Sequence, residues 1–495
     1  MPRRLESGHN LPIALIIHEH RKYPVIPGTV QISVSRTGEK PLLFKFETYS
    51  ENEILHPFQD QLRVFLFTIP RAQLPDGEIL VNATLSITKK NHTKIILNDN
   101  LFSSSKLPFS CTITSNPLPG ADYCTYGDLH THSIYSQSHV EFGPPLQVID
   151  RFAKVSGLGF VGITDHSYDL ACRVDNYLVQ DQSLKRWQML SDEFTKPFET
   201  IMLKGEEISC LNKKGKVVHL GAIDHKSFLP GTLDGARKNI CFPTQITINQ
   251  AVNTIETEGG LSFAAHPGSE SGILQSLFLH RGNWSEQDIP ENLDGFQILN
   301  SGFKKSWFRG KELWIKMLQK SRRLPLLAGN DAHGDFNRYR AIGKPFLEIY
   351  EDLNRYMGFG KTGIYGPQTS QEQIKNQIKN GATFVTTGPY VSINFSRDPQ
   401  SFAISKVTID RAVSQLFLHA ISTEEFGRIL KVTMIGCGAE NVEKPIFSKI
   451  YNESIYEVTE GFDVGGVDRK YVRAEIVCVR EDMRRCEAYS SCCFF

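Results

Sequence analysis

Hydrophobic and polar positions alternate along the first 123 residues of the chain. Short runs rich in β-branched and aromatic residues, such as VQISVSR, LLFKFETY, LRVFLFTI and ILVNATLSI, are separated by polar, Gly or Pro turns. This pattern is typical of β-strands. It returns near the end of the chain in VSINF, LFLHAIS, ILKVTMIG and YVRAEIVCV. We therefore expect β-rich domains over residues 1–123 and 390–495.

The pattern changes between residues 124 and 389, where helical periodicity alternates with short apolar runs. After Pro144-Pro145, the residues Leu146, Ile149 and Phe152 fall on one helical face, and the apolar run FVGIT follows. The same order precedes the runs LSFAA and LPLLAG. A helix followed by an apolar strand is the rhythm of a (β/α) barrel, in which the chemistry lies at the C-terminal ends of the strands. The pattern predicts an α/β fold with a TIM-like barrel over residues 124–389.

Histidine and acidic residues follow these apolar runs. The segment YGDLHTHS supplies His130 and His132, which point to the same side of a strand because they are two residues apart. Asp128 shares that side and could accept a hydrogen bond that fixes the tautomer of a ligand imidazole. The other candidates at predicted strand ends are Asp165, His166, Glu206, Glu207, His219, Asp224, His225, His266, Asp331 and His333.

The number of these candidates matters more than any one of them. A single histidine at a strand end is more often a structural residue than a ligand. However, burying so many titratable groups at one mouth of a barrel would be costly without a cation to compensate. We interpret the set as a multinuclear metal site.

The ordered motifs DLHTHS, TDH, GEEIS, HLGAID, AHPG and GNDAHG resemble the PHP (polymerase and histidinol phosphatase) superfamily over residues 124–389. The later segment TTGPY, followed by a β-rich tail, is similar to the CehA/McbA-like branch of that superfamily. The resemblance implies a distorted (β/α)7 barrel that holds two or three divalent metal ions, namely zinc, manganese or iron. It also implies the metal ligands, with Glu206 as the alternative to Glu207: His130, His132 and Asp331 for a first ion, a bridging Glu207, His219 and His266 for a second ion, and His166 and His333 for a third.

One segment departs from the pattern of the superfamily. Its members commonly have Ser-Asp-Gly shortly after the first two histidines, and the Asp binds metal. This chain has Ser136-Gln137-Ser138-His139 instead, and Gln137 is a poor metal ligand. Imidazole is a normal ligand for zinc, iron or manganese. The loop contains polar residues and glycine that allow it to turn inward, so we expect His139 to bind the third ion.

A metal site of this kind predicts a hydrolase. Metal ions lower the pKa of bound water to about 7, which makes a bridging hydroxide a nucleophile at neutral pH. The sequence contains no Walker loop and no GxSxG elbow that would indicate another mechanism. We expect a phosphoesterase that acts on a small phosphate ester, with Asp165 or His333 as the candidate acid for the leaving group.

Two alternatives stay open. The first is hydrolysis of a carboxylic or carbamate ester, as the CehA-like resemblance allows, and the second is a nonenzymatic, metal-dependent scaffold. Lys304, Lys305 and Arg309 follow a predicted barrel strand and could contact an anionic substrate, although a solvated basic face explains them as well.

Charge and composition narrow the range of partners. The 55 basic and 54 acidic side chains leave a formal net charge of +1, which provides no strong field for nucleic acid. No run approaches the roughly 20 apolar residues of a membrane span, and the short apolar run at residues 11–17 lacks the features of a signal peptide. The ten cysteines form no CxxC pair, so we expect reduced thiols. Together these features predict a cytoplasmic enzyme with a small anionic substrate and neither a nucleic-acid nor a membrane partner, and they leave its oligomeric state open.

Overall fold

The computed structural model describes residues 1–101, 103–136, 142–176, 178–231, 246–272, 276, 280–300, 302–344, 348–465 and 469–495. Strands dominate these residues, and helices are confined to the central part of the chain apart from short 3-10 turns. None of the helices in these ranges combines the length and the apolar character that crossing a membrane requires. The nine cysteines within them are buried and free of disulfide bonds.

The N-terminal strands form two sheets that face each other. Alternation explains them: Val30, Ile32 and Val34 are buried, whereas Gln31 between them is exposed. One sheet has the strand order β1-β8-β6-β3-β4, with β7 paired to β6, and the other is the pair β2-β5. The strands are β1 (Arg4–Leu5), β2 (Leu11–His18), β3 (Ile26–Ser35), β4 (Leu42–Glu47), β5 (Leu62–Ile69), β6 (Gly77–Lys89), β7 (His92–Leu97) and β8 (Phe109–Ile113).

The central part of the chain contains the α-helices and the strands that carry the candidate ligands. The strands are β9 (Cys124–Thr131), β10 (Phe160–Ile163), β11 (Ile201–Leu211), β12 (Val217–Ile223), β13 (Leu261–Ala265), β14 (Gly295–Leu299), β15 (Leu326–Ala328), β16 (Tyr339–Lys344), β17 (Glu348–Asp352), β18 (Lys361–Tyr365) and β19 (Thr383–Thr386). The helices are α1 (Leu146–Val155), α2 (Ser167–Leu170), α3 (Lys185–Glu193), α4 (Ile248–Thr257), α5 (Lys305–Gln319) and α6 (Gln371–Lys379).

The C-terminal strands are divided between two sheets. The strands β20 (Tyr390–Asn394), β21 (Gln415–Ile421) and β24 (Glu457–Asp463) form a sheet of their own. The other five extend the sheet of the central strands, because β19 pairs with β26. They are β22 (Arg428–Gly438), β23 (Glu443–Ile450), β25 (Arg469–Val479), β26 (Arg485–Ser490) and β27 (Cys493–Phe494). The division of the chain at residues 123 and 389 stays a prediction.

The predicted α/β fold with a TIM-like (β/α)7 barrel is wrong. The central strands belong to a 14-stranded sheet with the order β15-β14-β13-β12-β11-β10-β9-β18-β19-β26-β25-β22-β23, and β27 pairs with β25. In that sheet β9, β10 and β11 are parallel, as are β13, β14 and β15. However, β12 is antiparallel to both of its neighbours, and β18 is antiparallel to β9 and β19. The β-rich, mixed sheet therefore replaces the expected barrel of parallel strands.

The reason for this difference lies in the connections. Residues 212–216 alone join β11 to β12, and a parallel pair would need a crossover of about a dozen residues or more. An apolar strand has the same sequence pattern whether it runs parallel or antiparallel to its neighbours. The sequence therefore does not reveal that β12 runs antiparallel.

The edge strand β15 lies close to β9 and β18, which brings distant segments of the chain together. Thr131 at the end of β9 forms a β-bridge with Ala332, which follows β15. The backbone N–H of Ala328 donates to Oγ1 of Thr362 on β18 at 2.7 Å. His166, which follows β10, forms a β-bridge with Glu207 on β11. The residues near the ends of β9, β10, β11 and β15 therefore share one region of the molecule.

Candidate metal centre

Two imidazoles, one at the end of β9 and one directly after it, face each other in the interior. His130 and His132 are fully buried, and their Nε2 atoms are 3.2 Å apart. The Nδ1 atom of His130 lies 2.9 Å from Oε1 of Gln297, whose amide nitrogen donates to the carbonyl of Gly329 at 3.0 Å. Because Oε1 can only accept, Nδ1 of His130 carries the proton and its Nε2 presents a lone pair.

The same reasoning fixes the tautomer of His132. Its Nδ1 lies 3.0 Å from Oγ of Ser136, and that hydroxyl donates to the carboxylate of Asp165 at 2.7 Å. The hydroxyl proton is thereby committed, so the serine oxygen accepts from Nδ1 of His132 and leaves Nε2 with a lone pair. Two lone pairs 3.2 Å apart repel each other unless a cation lies between or beside them. The geometry therefore fits a metal ion.

The carboxylate of Glu207 lies in the middle of the cluster. Its Oε1 is 2.5 Å from Nδ1 of His219 and 3.0 Å from Nε2 of His266, and its Oε2 is 2.8 Å from Nδ1 of His166. Burial by itself would raise the pKa of Glu207, but the imidazoles around its carboxylate, His219 first, favour the ionised form and hold that pKa well below its usual range. Glu207 is therefore a carboxylate that can bridge neighbouring cations.

Asp331 and His333 approach from the segment after β15. The Oδ1 atom of Asp331 lies 3.1 Å from Nε2 of His132 and 3.7 Å from Nε2 of His130. His333 donates from Nδ1 to the carbonyl of Asp331 at 2.9 Å, and its ring stacks on that of His132 with centroids 3.9 Å apart. Because Nδ1 is the donor, Nε2 of His333 is the acceptor nitrogen.

These side chains form three overlapping groups in which one ligand atom from each member lies within 4.8 Å of the others. His132 belongs to two of the groups, and Glu207 also belongs to two. The groups are His132, His166 and His333; His130, His132, Glu207 and Asp331; and Glu207, His219 and His266. The buried His, Glu and Asp groups could thus hold a metal ion, and the structure brings together the eight proposed ligands that lie in its described ranges. His139 and Gln137 lie outside those ranges.

Burial keeps two of these imidazoles, His132 and His266, in the form that binds metal. Burial, followed by the charge of His333 and His166, lowers the pKa of His132 well below its usual value. Burial also lowers the pKa of His266 to about 4. Neutral imidazoles at physiological pH are the protonation state that a metal ion requires.

The backbone is strained where two of these ligands lie. Asp331 has a φ of 48° and His266 a φ of 31°, values that residues other than glycine rarely adopt. The chain passes close to His130 at Gly329, where a Cβ would lie 2.4 Å from Cβ of His130. Glycine, which has no Cβ, allows this close approach. Strain of this kind is retained where the surrounding structure over-determines it, often at functional sites.

The remaining sequence candidates have structural contacts instead of positions in the cluster. Asp128 accepts from four N–H groups of the backbone and of Asn330, none of them an imidazole. Glu206 points to the opposite face of β11 and accepts from the backbone N–H of Leu229 at 2.8 Å. His225 stacks on Trp187. Asp224 forms an ion pair with Lys375 at 2.5 Å.

Asp165 is a candidate catalytic residue whose carboxylate is fully engaged. It accepts from the backbone N–H and the hydroxyl of both Ser133 and Ser136, at 2.6 to 3.0 Å. Through Ser136 it orients His132. Among the basic residues proposed for a substrate, Lys304 pairs with Asp352 and Arg309 pairs with Glu270.

Sequence reasoning missed three residues that support the cluster. Gln297 and Ser136 orient the two imidazoles of β9, as described above. Arg355 donates from Nε to the carbonyl of Asn330 at 3.0 Å, contacts the carboxylate of Asp331, and lies 3.8 Å from the ring centroid of Tyr339. A glutamine inside the otherwise apolar run GFQIL is the signal that could have revealed Gln297. Arg355 follows no motif.

Comparisons of the sequence with known families and with curated proteins find no match. Among solved structures, red sea bream transglutaminase has 9% identity and a TM-score of 0.16, covering 96% of this chain and 79% of that one. A cycloisomaltooligosaccharide glucanotransferase from Paenibacillus sp., complexed with cycloisomaltoheptaose, has 9% identity and a TM-score of 0.16, covering 100% of this chain and 71% of that one. Likeness at this level bears on neither the fold nor the activity.

Proposed function

We propose that this protein is a metal-dependent hydrolase that acts on small phosphate esters. The observation that carries the proposal is the pair of facing Nε2 lone pairs of His130 and His132, with the carboxylates of Glu207 and Asp331 beside them. Such a donor set suits zinc, manganese or iron. The resemblance of the motifs to the PHP superfamily supports the same reaction class.

The charge of the cluster favours an anionic substrate. Six imidazoles and two carboxylates make up the three groups, and the imidazoles are neutral when they bind metal. Two divalent cations would leave this set with a net positive charge, and a third would increase it. The guanidinium of Arg355 adds a further positive charge next to Asp331. A phosphate group matches this field, because it brings the negative charge that the site lacks.

The chain's own residues have distinct roles in this proposal. Bound divalent cations would supply a nucleophilic water at neutral pH and polarise the oxygen under attack. Gln297 and Ser136 hold the tautomers of His130 and His132, and Asp165 holds Ser136. Asp165 is therefore a positioning residue. His333 donates its Nδ1 proton to a carbonyl, which supports a role as a ligand through Nε2 rather than as a proton donor to a leaving group.

The adjacent residues Glu206 and Glu207 provide a matched test. Both are buried, but Glu207 faces the cluster and Glu206 faces away. Burial raises the pKa of Glu206 well above its usual value, which favours the protonated carboxyl and makes Glu206→Gln a conservative change. Purified full-length wild type, E206Q and E207Q would be compared by metal analysis and then assayed with phosphate monoesters, phosphodiesters, carboxylic esters and carbamates.

We expect wild type and E206Q to hold the same metal content and to hydrolyse phosphate esters, and E207Q to lose metal and turnover together. Equal metal content in folded E207Q and wild type would contradict the ligand set. Turnover of carboxylic or carbamate esters alone would favour the esterase alternative. A metal-loaded protein with no turnover across the panel would favour the scaffold.

A further inference from the structure

A cavity of about 530 Å³ lies between the two sheets of the N-terminal strands. Most of its wall is apolar. The residues that line it include the consecutive run from Ile13 to Ile17 on β2 and Val81, Ala83, Leu85 and Ile87 on β6. Phe67, Ile96, Phe142 and Phe152 add to the apolar lining.

The charged residues of the lining compensate one another. Arg340 pairs with Asp99 at 3.1 Å and with Asp335 at 2.8 Å. All three lie at the cavity, and Lys106 also pairs with Asp99, so two cations balance two carboxylates there. The part of a ligand that is buried in this cavity is therefore uncharged and apolar.

One part of the cavity wall is continuous with the candidate metal centre. Gly334 and Asp335 line the cavity, and they follow the proposed ligand His333 directly in the chain. The backbone N–H of Gly334 donates to the carbonyl of Phe142, which also lines the cavity. A molecule with its chain in the cavity would thus have its other end beside the segment that carries His333.

The size and character of the cavity indicate a small-molecule occupant. Protein interiors are close-packed, and voids much larger than a water molecule are few. Sites for small ligands have volumes of about 300 to 1,000 Å³, apolar walls and a few polar groups. Apolar cavities of this kind take up apolar ligands rather than ordered water.

We propose that this cavity binds the aliphatic chain of a small amphiphilic molecule whose polar group lies beside Gly334. The inference deepens the proposed function, since such a molecule would be the substrate of the neighbouring centre, and in this respect it rests on that function. Binding of the chain itself requires no turnover. Each added methylene group should strengthen binding about threefold to fourfold until the cavity is filled.

The test uses the full-length protein, with and without metal. A neutral fluorescent probe of apolar sites, N-phenylnaphthylamine, would be bound and then displaced by straight-chain alcohols from butanol to hexadecanol. Ile96→Trp places a larger side chain in the cavity. Ile95→Trp is the matched control, because Ile95 lies on the outer face of β7 and is 69% exposed. Ala83→Phe is a second variant that fills the cavity, in case Ile96→Trp does not fold.

We expect longer alcohols to displace the probe at progressively lower concentrations in wild type and I95W, and probe binding to be lost in I96W and A83F. The inference is overturned if folded wild type does not bind the probe, if short and long alcohols compete equally, or if both filled variants bind like wild type. Turnover of the phosphate esters of these alcohols is measured separately. If none of these esters is hydrolysed at any alkyl chain length, the proposed hydrolysis is wrong, but the result for alcohol binding still holds.

Discussion

Replacing Gln297 by leucine tests the argument that the tautomer of His130 is imposed by the protein. Gln297 is fully buried, accepts from Nδ1 of His130 at 2.9 Å and donates to the carbonyl of Gly329 at 3.0 Å. Leucine has a similar size but neither hydrogen-bonding atom. The imidazole of His130 then loses the acceptor that keeps its proton on Nδ1, and Nε2 is no longer held as the ligand nitrogen.

Two costs of different kinds follow from this change. Loss of a hydrogen bond that orients a ligand histidine typically lowers metal affinity about tenfold to hundredfold, or about 1.4 to 2.8 kcal/mol. The polar atoms left without a partner in the interior should also lower the free energy of unfolding of the metal-free protein by about 1 to 3 kcal/mol. Metal affinity must therefore be measured separately from stability.

A control variant that lowers stability but leaves the tautomer of His130 unchanged is available on the nearby strand β18. Thr362 on β18 is fully buried, and its hydroxyl bonds both the N–H and the carbonyl of Ala328 without touching the cluster. Thr362→Val should destabilise the metal-free chain to a comparable degree and leave metal affinity unchanged. The assay is competition for zinc or manganese against a chromophoric chelator, with thermal unfolding of each metal-free protein in parallel. An unchanged metal dissociation constant in folded Q297L would refute the argument.

Two further predictions rest on buried side chains near the centre. Asp165→Ala removes the acceptor of four hydrogen bonds. We expect it to lower the free energy of unfolding by about 1 to 3 kcal/mol and to weaken metal binding through Ser136 and His132. Metal affinity equal to that of wild type in a folded variant would speak against this role. Burial lowers the pKa of His225 to about 4. Between about pH 6.5 and pH 4 the unfolded chain therefore binds a proton that the folded chain does not. The free energy of unfolding falls as the pH falls through this window, by at most about 3 kcal/mol. Denaturant titrations of wild type and His225→Gln at pH 7 and pH 4.5 should show a smaller loss in the variant, and parallel losses would exclude His225 as the cause.

Much of the local structure follows from the sequence because it depends on neighbouring residues. The run LSFAA is β13 and the helical face of Leu146, Ile149 and Phe152 is buried in α1, since strand and helix periods are properties of short segments. The spacing of His130 and His132 likewise places their imidazoles on one side of β9 whatever the rest of the chain does. The direction of β12 does not follow from such patterns, and it is one reason why the expected barrel of parallel strands is wrong.

The sequence by itself determined which kinds of side chain are available for a metal centre and which of them share a side of one strand. Only the tertiary structure decided that Glu207 faces the cluster and Glu206 faces away, because alternation separates two adjacent residues but the pairing of β11 with its neighbours selects the face. It also decided that Gln297, 167 positions from His130 in the sequence, orients that ligand, and that Arg355 contacts Asp331. The physical reason is that side-chain direction along a strand is local, whereas the meeting of residues more than a hundred positions apart depends on how the whole sheet is assembled.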